Sequence, residues 1–159
     1  MVKLPVLHRE TVIDDWVDYN GHLNVAYYVL IFDRATDAFL EQVGLDEAYR
    51  DSVGGSVFVV ESHIVYEREV LLGTEVEVVS QLLNVDNKRL HLFHSMQIAG
   101  SRQQAATIEI MILHVDLQSR KSTPFAGEII SRLQTIAAAH AQISPPPHVG
   151  RRIGFRNTR

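Results

Sequence analysis

Asp14-Asp15-Trp16-Val17-Asp18-Tyr19-Asn20-Gly21-His22-Leu23-Asn24 runs without a break into the apolar segment Val25 to Leu40. The Asp-Tyr-Asn-Gly cluster in the first part is turn chemistry. The second part is a helix. Val25, Tyr28, Val29, Phe32, Thr36, Phe39 and Val43 recur at helical spacing, and Asp33, Arg34, Asp37 and Glu41 hold the other side in the later half only. The first half is apolar nearly all round, which predicts burial on several sides. Asn24 is placed as the N-cap and Gly44 as the terminator. A carboxylate, an imidazole and two amides therefore gather at the mouth of a buried helix, beside backbone N–H groups that lack partners inside it. Asp18 is the sharpest candidate for chemistry there.

Outward from this point the chain changes character. Val6 to Trp16 reads as a strand, and Leu45 to Val53 as one further short helical turn. Ser56 to Glu69 is rich in Val, Ile and aromatic residues. Glu75 to Leu83 alternates at period two and ends at the turn signal Asn84-Val85-Asp86-Asn87. Lys88 to Ala99 sets Leu90, Leu92, Met96 and Ile98 on one face; after Gly100-Ser101, Gln104 to Asp116 does the same with Ala106, Ile108, Ile110 and Ile112. Short turns between successive strands predict an antiparallel meander. A last helix is expected from Gly127 to Ala141, after Pro124 and before Ser144-Pro145-Pro146-Pro147. The fold class is α+β: a curved antiparallel sheet wrapped around a central buried helix, plus a C-terminal helix. One domain is expected over residues 1–144, with a Pro/Arg-rich tail over 145–159 that carries Arg151, Arg152, Arg156 and Arg159. Edge strands and one open sheet face favour oligomerisation.

Composition narrows the function. A chain of 159 residues, 46% hydrophobic and 21% charged, can bury a core without staples. The absence of cysteine excludes disulfides, thiolate nucleophiles and Cys-based zinc sites. A formal net charge of −4 argues against non-specific nucleic-acid binding. No segment approaches the roughly 18–20 apolar residues of a membrane span, and the opening residues lack a signal-peptide run, so a cytoplasmic protein without membrane partner is expected. His91 and His94, three apart on a strand, point to opposite faces, and no His-x-x-x-His lies on a predicted helix; no metal is expected.

The run Asp18 to Tyr28 resembles the signature of hotdog-fold acyl-CoA thioesterases of the 4-hydroxybenzoyl-CoA thioesterase type. That signature is an aspartate, a short glycine loop, His/Val-Asn and a tyrosine in the first helical turn. Val65 to Val76 resembles that family's second strand and its Leu-Gly-Asp turn, and Met111 to Leu117 before Arg120-Lys121-Ser122-Thr123-Pro124 is a further match in the right order. The similarity covers roughly residues 6 to 141. The ending Val149 to Phe155 is similar to the subgroup of betainyl-CoA thioesterases of carnitine breakdown.

The resemblance implies hydrolysis of a thioester to a free acid and coenzyme A, with no cofactor beyond the CoA carried by the substrate. Asp18 aligns with the catalytic carboxylate, which attacks the carbonyl or activates water; both routes stay open. The oxyanion donor is expected among the backbone N–H groups of Val25, Ala26 and Tyr27. His22 orients a water or the carbonyl, or is a loop histidine bonded to backbone; Asn24 combines N-cap and site roles. Glu61 and His63, two apart, face one way on a strand that runs near the cleft in this family, often across a dimer interface. Coenzyme A needs cations, and Arg68, Lys88, Arg89, Arg120 and Lys121 sit at strand ends or turns. A quaternary ammonium would favour aromatic faces and a carboxylate: Trp16, Tyr19, Tyr27, Phe58 and Tyr66 with Glu61, and Tyr28 completes the substrate-binding set. A homodimer or dimer of dimers is implied. The alternatives are a hotdog-fold hydratase or dehydratase and a non-catalytic acyl-CoA binder.

Overall fold

The structure is a computed structural model that describes residues 4–155; Arg156 and Arg159 of the tail lie outside the described residues, as do positions 1–3. Its elements are β1 (Val6–Thr11), a 3-10 turn (Asp14–Trp16), α1 (Val25–Val43), α2 (Glu47–Val53), β2 (Gly55–Tyr66), β3 (Glu75–Val85), β4 (Arg89–Ile98), β5 (Gln104–Asp116) and α3 (Gly127–His140). The five strands form one antiparallel sheet in the order β1-β3-β4-β5-β2. Its inner face carries Val76, Val78, Leu90, Leu92, Met96, Ile108, Ile110 and Ile112, all buried against α1 through Ile31, Phe32, Ala35, Phe39 and Val43. This is the helix-in-sheet architecture that the apolar periodicities predict.

One polar group sits inside that packing. His94 on β4 is fully buried beneath α1. Its Nδ1 lies 2.6 Å from the Ser80 hydroxyl and its Nε2 lies 3.0 Å from the Thr36 hydroxyl. Thr36 already donates to the Phe32 carbonyl, so it accepts from His94 Nε2–H, and Nδ1 accepts from Ser80. Every polar atom of the imidazole is satisfied in the neutral form, and burial pushes its pKa down to about 3. The expectation that His91 and His94 face opposite ways holds: His91 is on the outer face, bonded to Glu109 at 2.7 Å.

Four expectations need correction. The first strand stops at Thr11, because the Asp14-Asp15 pair prefers the 3-10 turn that closes with Val17 N–H on the Asp14 carbonyl at 3.2 Å. Strands β3, β4 and β5 do form a meander, but β2 crosses over to pair with β5 at the far edge, since β1 already occupies the neighbouring edge of β3. The first half of α1 is not covered on all sides: Val25 and Val29 stay 59% and 42% exposed, as one sheet reaches only one side of a helix. Finally, the outer sheet face is only partly open.

That face is crossed by the chain's own C-terminal segment. Past the end of β1, α3 covers the free edge of β3: the Leu82 N–H donates to His140 Nδ1 at 2.9 Å, and the Gln81 side chain donates to the carbonyls of His140 and Ile143. Ile143 and Pro146 then line, with Phe93 of β4, a cavity of about 630 Å³ on this face, and the Gly150 N–H reaches the Glu109 carboxylate of β5 at 2.7 Å.

Candidate active site

The stretch that the sequence singles out folds into a small two-stranded loop. Val17 bridges Leu23, the Asp18 N–H donates to the His22 carbonyl at 3.0 Å, and the Asn24 N–H donates to the Trp16 carbonyl at 2.9 Å. Gly21, with φ at +78°, provides the left-handed turn that closes it. The Leu23 N–H donates to the Val70 carbonyl at 2.7 Å, and this pins the loop to the segment between β2 and β3. Asp18 and His22 are thereby paired at the loop's neck, immediately before the helix.

Asp18 Oδ1 accepts from the Asn20 N–H at 2.8 Å, and Oδ2 lies 3.9 Å from His22 Nδ1. The carboxylate is mostly sheltered, with 18% of the side chain exposed, and the imidazole is 32% exposed. Asn24 is the N-cap: its Oδ1 accepts from the Ala26 N–H at 3.0 Å, and its carbonyl accepts from the Tyr27 N–H at 2.9 Å. Of the three candidate oxyanion donors, two are therefore occupied. The Val25 N–H alone has no partner among the described residues, and the positive end of the α1 dipole lies at the same place.

A cavity of about 300 Å³ opens beside this helix start. His22 and Val25 line one side; Tyr28, Tyr66 and the Glu67-Arg68-Glu69 segment line the other. Tyr28 is buried, donates its hydroxyl to the Arg68 carbonyl at 3.1 Å, and stacks edge-on against Tyr66 at 5.1 Å. Burial, with Tyr66 and Glu69 nearby, raises its pKa above the usual phenol value and keeps it neutral. Glu67 and Glu69 did not stand out in the sequence; the signal that could have found them is the charged triplet Glu67-Arg68-Glu69, directly after a strand and directly before the backbone anchor Val70.

The remaining candidates separate. Trp16 is buried between Tyr27, stacked at 5.8 Å, and the Arg34 guanidinium at 5.4 Å, and neither aromatic ring lines the cavity. Tyr19 is 98% exposed at the loop tip. Glu61 and His63 share the outer face of β2, opposite Met111 and Glu109, and Phe58 lies beyond the β2 bulge with the Arg120 guanidinium 5.3 Å over its ring. Lys88 donates to the Ser122 hydroxyl, and Arg89 pairs with Asp86 at 2.6 Å. These cations gather at the end of the sheet opposite to Asp18, roughly 30 Å away along a strand of β3's length. Within one protomer, Arg68 is the sole member of the expected cation set that lines the cavity; Lys121 is exposed in the turn after β5.

Comparison with known proteins identifies the family of this fold. A model of the thioesterase-like superfamily matches residues 12–133. The betainyl-CoA thioesterase of Pseudomonas aeruginosa is 44% identical over 155 residues and covers 98% of both chains. The L-carnitine dehydrogenase/betainyl-CoA thioesterase of Rhizobium meliloti is 40% identical over 139 residues, which span 87% of this chain and 28% of that protein. Among solved structures, a candidate thioesterase from Pseudomonas putida KT2440 superposes with a TM-score of 0.84 at 42% identity, covering 98% of this chain and 99% of the other. A Staphylococcus aureus protein in complex with CoA superposes with a TM-score of 0.90 at 25% identity, with the same coverage. With the family motif on the helix-entry loop and a match over most of its length, the chain belongs to the thioesterase-like superfamily.

Proposed function

We propose that this protein is an acyl-CoA thioesterase that converts betainyl-CoA and water to betaine and coenzyme A. The observation that carries the reading is the pairing of the Asp18 carboxylate with the His22 imidazole on the loop that enters α1, where the Val25 N–H has no partner among the described residues, beside an open cavity that His22 and Val25 line. The near full-length relative that carries the betainyl-CoA name supports the choice of acyl group.

Thioester cleavage needs a nucleophile at the carbonyl carbon and a donor for the oxygen that becomes negative. In this reading the carbonyl oxygen points at the Val25 N–H. The helix dipole adds to that stabilisation. Asp18 then takes a proton from an attacking water, or itself adds to the carbon to give a mixed anhydride that water opens. In the first route the C–S bond breaks and the thiolate leaves with the proton that Asp18 took from water; in the second the thiolate leaves as the anhydride forms, and the water that opens the anhydride supplies the proton that balances it. His22 holds the water or the carbonyl in line. A single turnover in ¹⁸O-labelled water probes the route: label on the Asp18 carboxylate arises only through the anhydride, opened by water at the Asp18 carbon.

A cationic acyl group suits the cavity. The Tyr66 ring face and the Glu67 and Glu69 carboxylates offer a quaternary ammonium both of the contacts it favours. The working unit in this reading is a homodimer joined along β2. Phe58, Val59 and Val60 are exposed in succession on an edge strand, at 39%, 50% and 56%, and Val25 and Val29 of α1 are open as well. Antiparallel pairing of two β2 edges brings the basic end of one sheet, with Lys88, Arg89 and Arg120, toward the Asp18 end of the other. There those cations can meet CoA phosphates.

Release of free thiol from betainyl-CoA tests the function. A hydratase would change the acyl chain without releasing thiol, and a binder would saturate without turnover. Faster hydrolysis of betainyl-CoA than of a size-matched uncharged acyl-CoA is the expected result.

A further inference from the structure

The C-terminal segment is held against the sheet by two carboxylates, Glu109 and Glu67. Glu109 on β5 is held at both ends: Oε1 lies 2.7 Å from His91 Nε2, and Oε2 accepts from the Gly150 N–H at 2.7 Å. Glu67 pairs with His148 Nε2 at 3.2 Å and also bonds the Gln104 side chain. Two turns, from Val149 N–H to the Pro146 carbonyl and from Arg151 N–H to the His148 carbonyl, shape the segment between these anchors. Gly150, with φ at +71°, lets the chain double back there.

The result is a fixed place for two cations. Arg151 and Arg152, both exposed, line an open cavity of about 270 Å³ with His63 to Tyr66, at the C-terminal end of β2. Tyr66 also lines the cavity beside Val25, so the two spaces share that residue, and Glu67 both lines that cavity and anchors His148. Among the described residues neither arginine makes an ion pair, because the nearby carboxylates Glu67 and Glu109 are already engaged by the anchors. The wall also holds His63, whose buried Nε2 has no hydrogen-bond partner among the described residues. Two guanidinium groups without an ion pair around one space form a receptor for a phosphate-type anion.

We infer that Arg151 and Arg152, held by the His148–Glu67 and Gly150–Glu109 contacts, form a subsite for the phosphates of the acyl-CoA whose thioester lies on the other side of Tyr66. This rests on the thioesterase reading of the neighbouring site. It gives a chain of net charge −4 a local cationic patch next to its own catalytic loop.

The test uses the full-length chain and its Arg151→Gln/Arg152→Gln variant. Each is assayed on an acyl-CoA and on the same acyl group carried by pantetheine, which lacks the nucleotide phosphates. Coenzyme A binding is titrated separately by calorimetry. The subsite predicts a KM for acyl-CoA raised about tenfold with kcat unchanged, an equal weakening of coenzyme A binding, and no change on the pantetheine thioester. Equal loss on both thioesters would make the tail a structural strap and overturn the assignment. Unchanged coenzyme A affinity would overturn it too. If the wild-type chain released thiol from neither thioester, the thioesterase reading would fail, and the titration would still decide the subsite.

Discussion

The backbones of Asp18 and His22 are joined by the Asp18 N–H donating to the His22 carbonyl at 3.0 Å, and their side chains meet again, Oδ2 to Nδ1, at 3.9 Å. A carboxylate and an imidazole four residues apart are thus locked on one side of a loop whose next residues are the N-cap and first turn of α1. The loop delivers both groups to the end of the helix where an N–H is free.

Replacement of Asp18 by Asn tests the carboxylate directly. The amide oxygen can still accept from the Asn20 N–H, so the loop keeps its shape. The negative charge and the base are lost. The expected result is a fall in kcat of about 10²–10⁴-fold with a thermal midpoint close to wild type. Near wild-type thiol release by a folded Asp18→Asn chain would end the catalytic assignment.

Asn24→Ala removes the only side-chain acceptor for the Ala26 N–H. Loss of an N-cap costs about 1 kcal/mol. The helix start that presents the Val25 N–H should fray as well, so kcat should fall with stability. Asn24→Asp, which retains the acceptor, should restore the midpoint. Thermal melts run beside a thiol-release assay give both readouts.

Acid should destabilise the fold before most carboxylates titrate. In the unfolded chain His94 and His140 take up protons near pH 6.5. In the native chain burial holds the His94 pKa at about 3 and lowers that of His140. The unfolded state therefore binds more protons below pH 6.5, and stability is complete above that pH and declines as pH falls from 6.5 toward 3. Urea midpoints measured from pH 7.5 to 4 should drop steadily, and His94→Gln, although less stable at pH 7.5, should show a shallower slope.

The apolar edge of β2 predicts association. Val60 lies at the β2 bulge and is 56% exposed. Val60→Lys sets a charge on that edge, which strand pairing does not tolerate. Sedimentation should show the wild-type chain as a dimer or larger and the variant as a monomer, with activity reduced alongside. A wild-type chain that sediments as a monomer and still turns over would refute the shared-site arrangement.

The order in which residues became legible follows from the range of the forces involved. Helix α1, its Asn24 cap, its Gly44 end and strand β5 are set by near neighbours, and each is readable from spacing alone. The Asp18 loop is equally local, since its turn residues and helix cap lie within seven positions. Trp16 and Tyr28 have two uses in the sequence, since an aromatic residue near a site can pack or meet a ligand, and Tyr28 does line the cavity. Only packing revealed that Arg34 and Tyr27 enclose one ring and that the Arg68 carbonyl takes the other's hydroxyl.

By itself the sequence determined the α+β class, the buried central helix and the reactive loop at its start, because periodicity, turn chemistry and capping act within a few residues. Tertiary structure decided that β2 lies at the far edge, that Lys88 and Arg89 sit at the opposite end from Asp18, and that the tail crosses the outer face to bring Arg151 and Arg152 beside Tyr66. Those placements depend on which strand edges remain unpaired once the sheet closes around α1, and on contacts between residues more than forty positions apart, such as Gly150 with Glu109. Competition of that kind is settled by the whole chain at once and leaves no trace in local spacing.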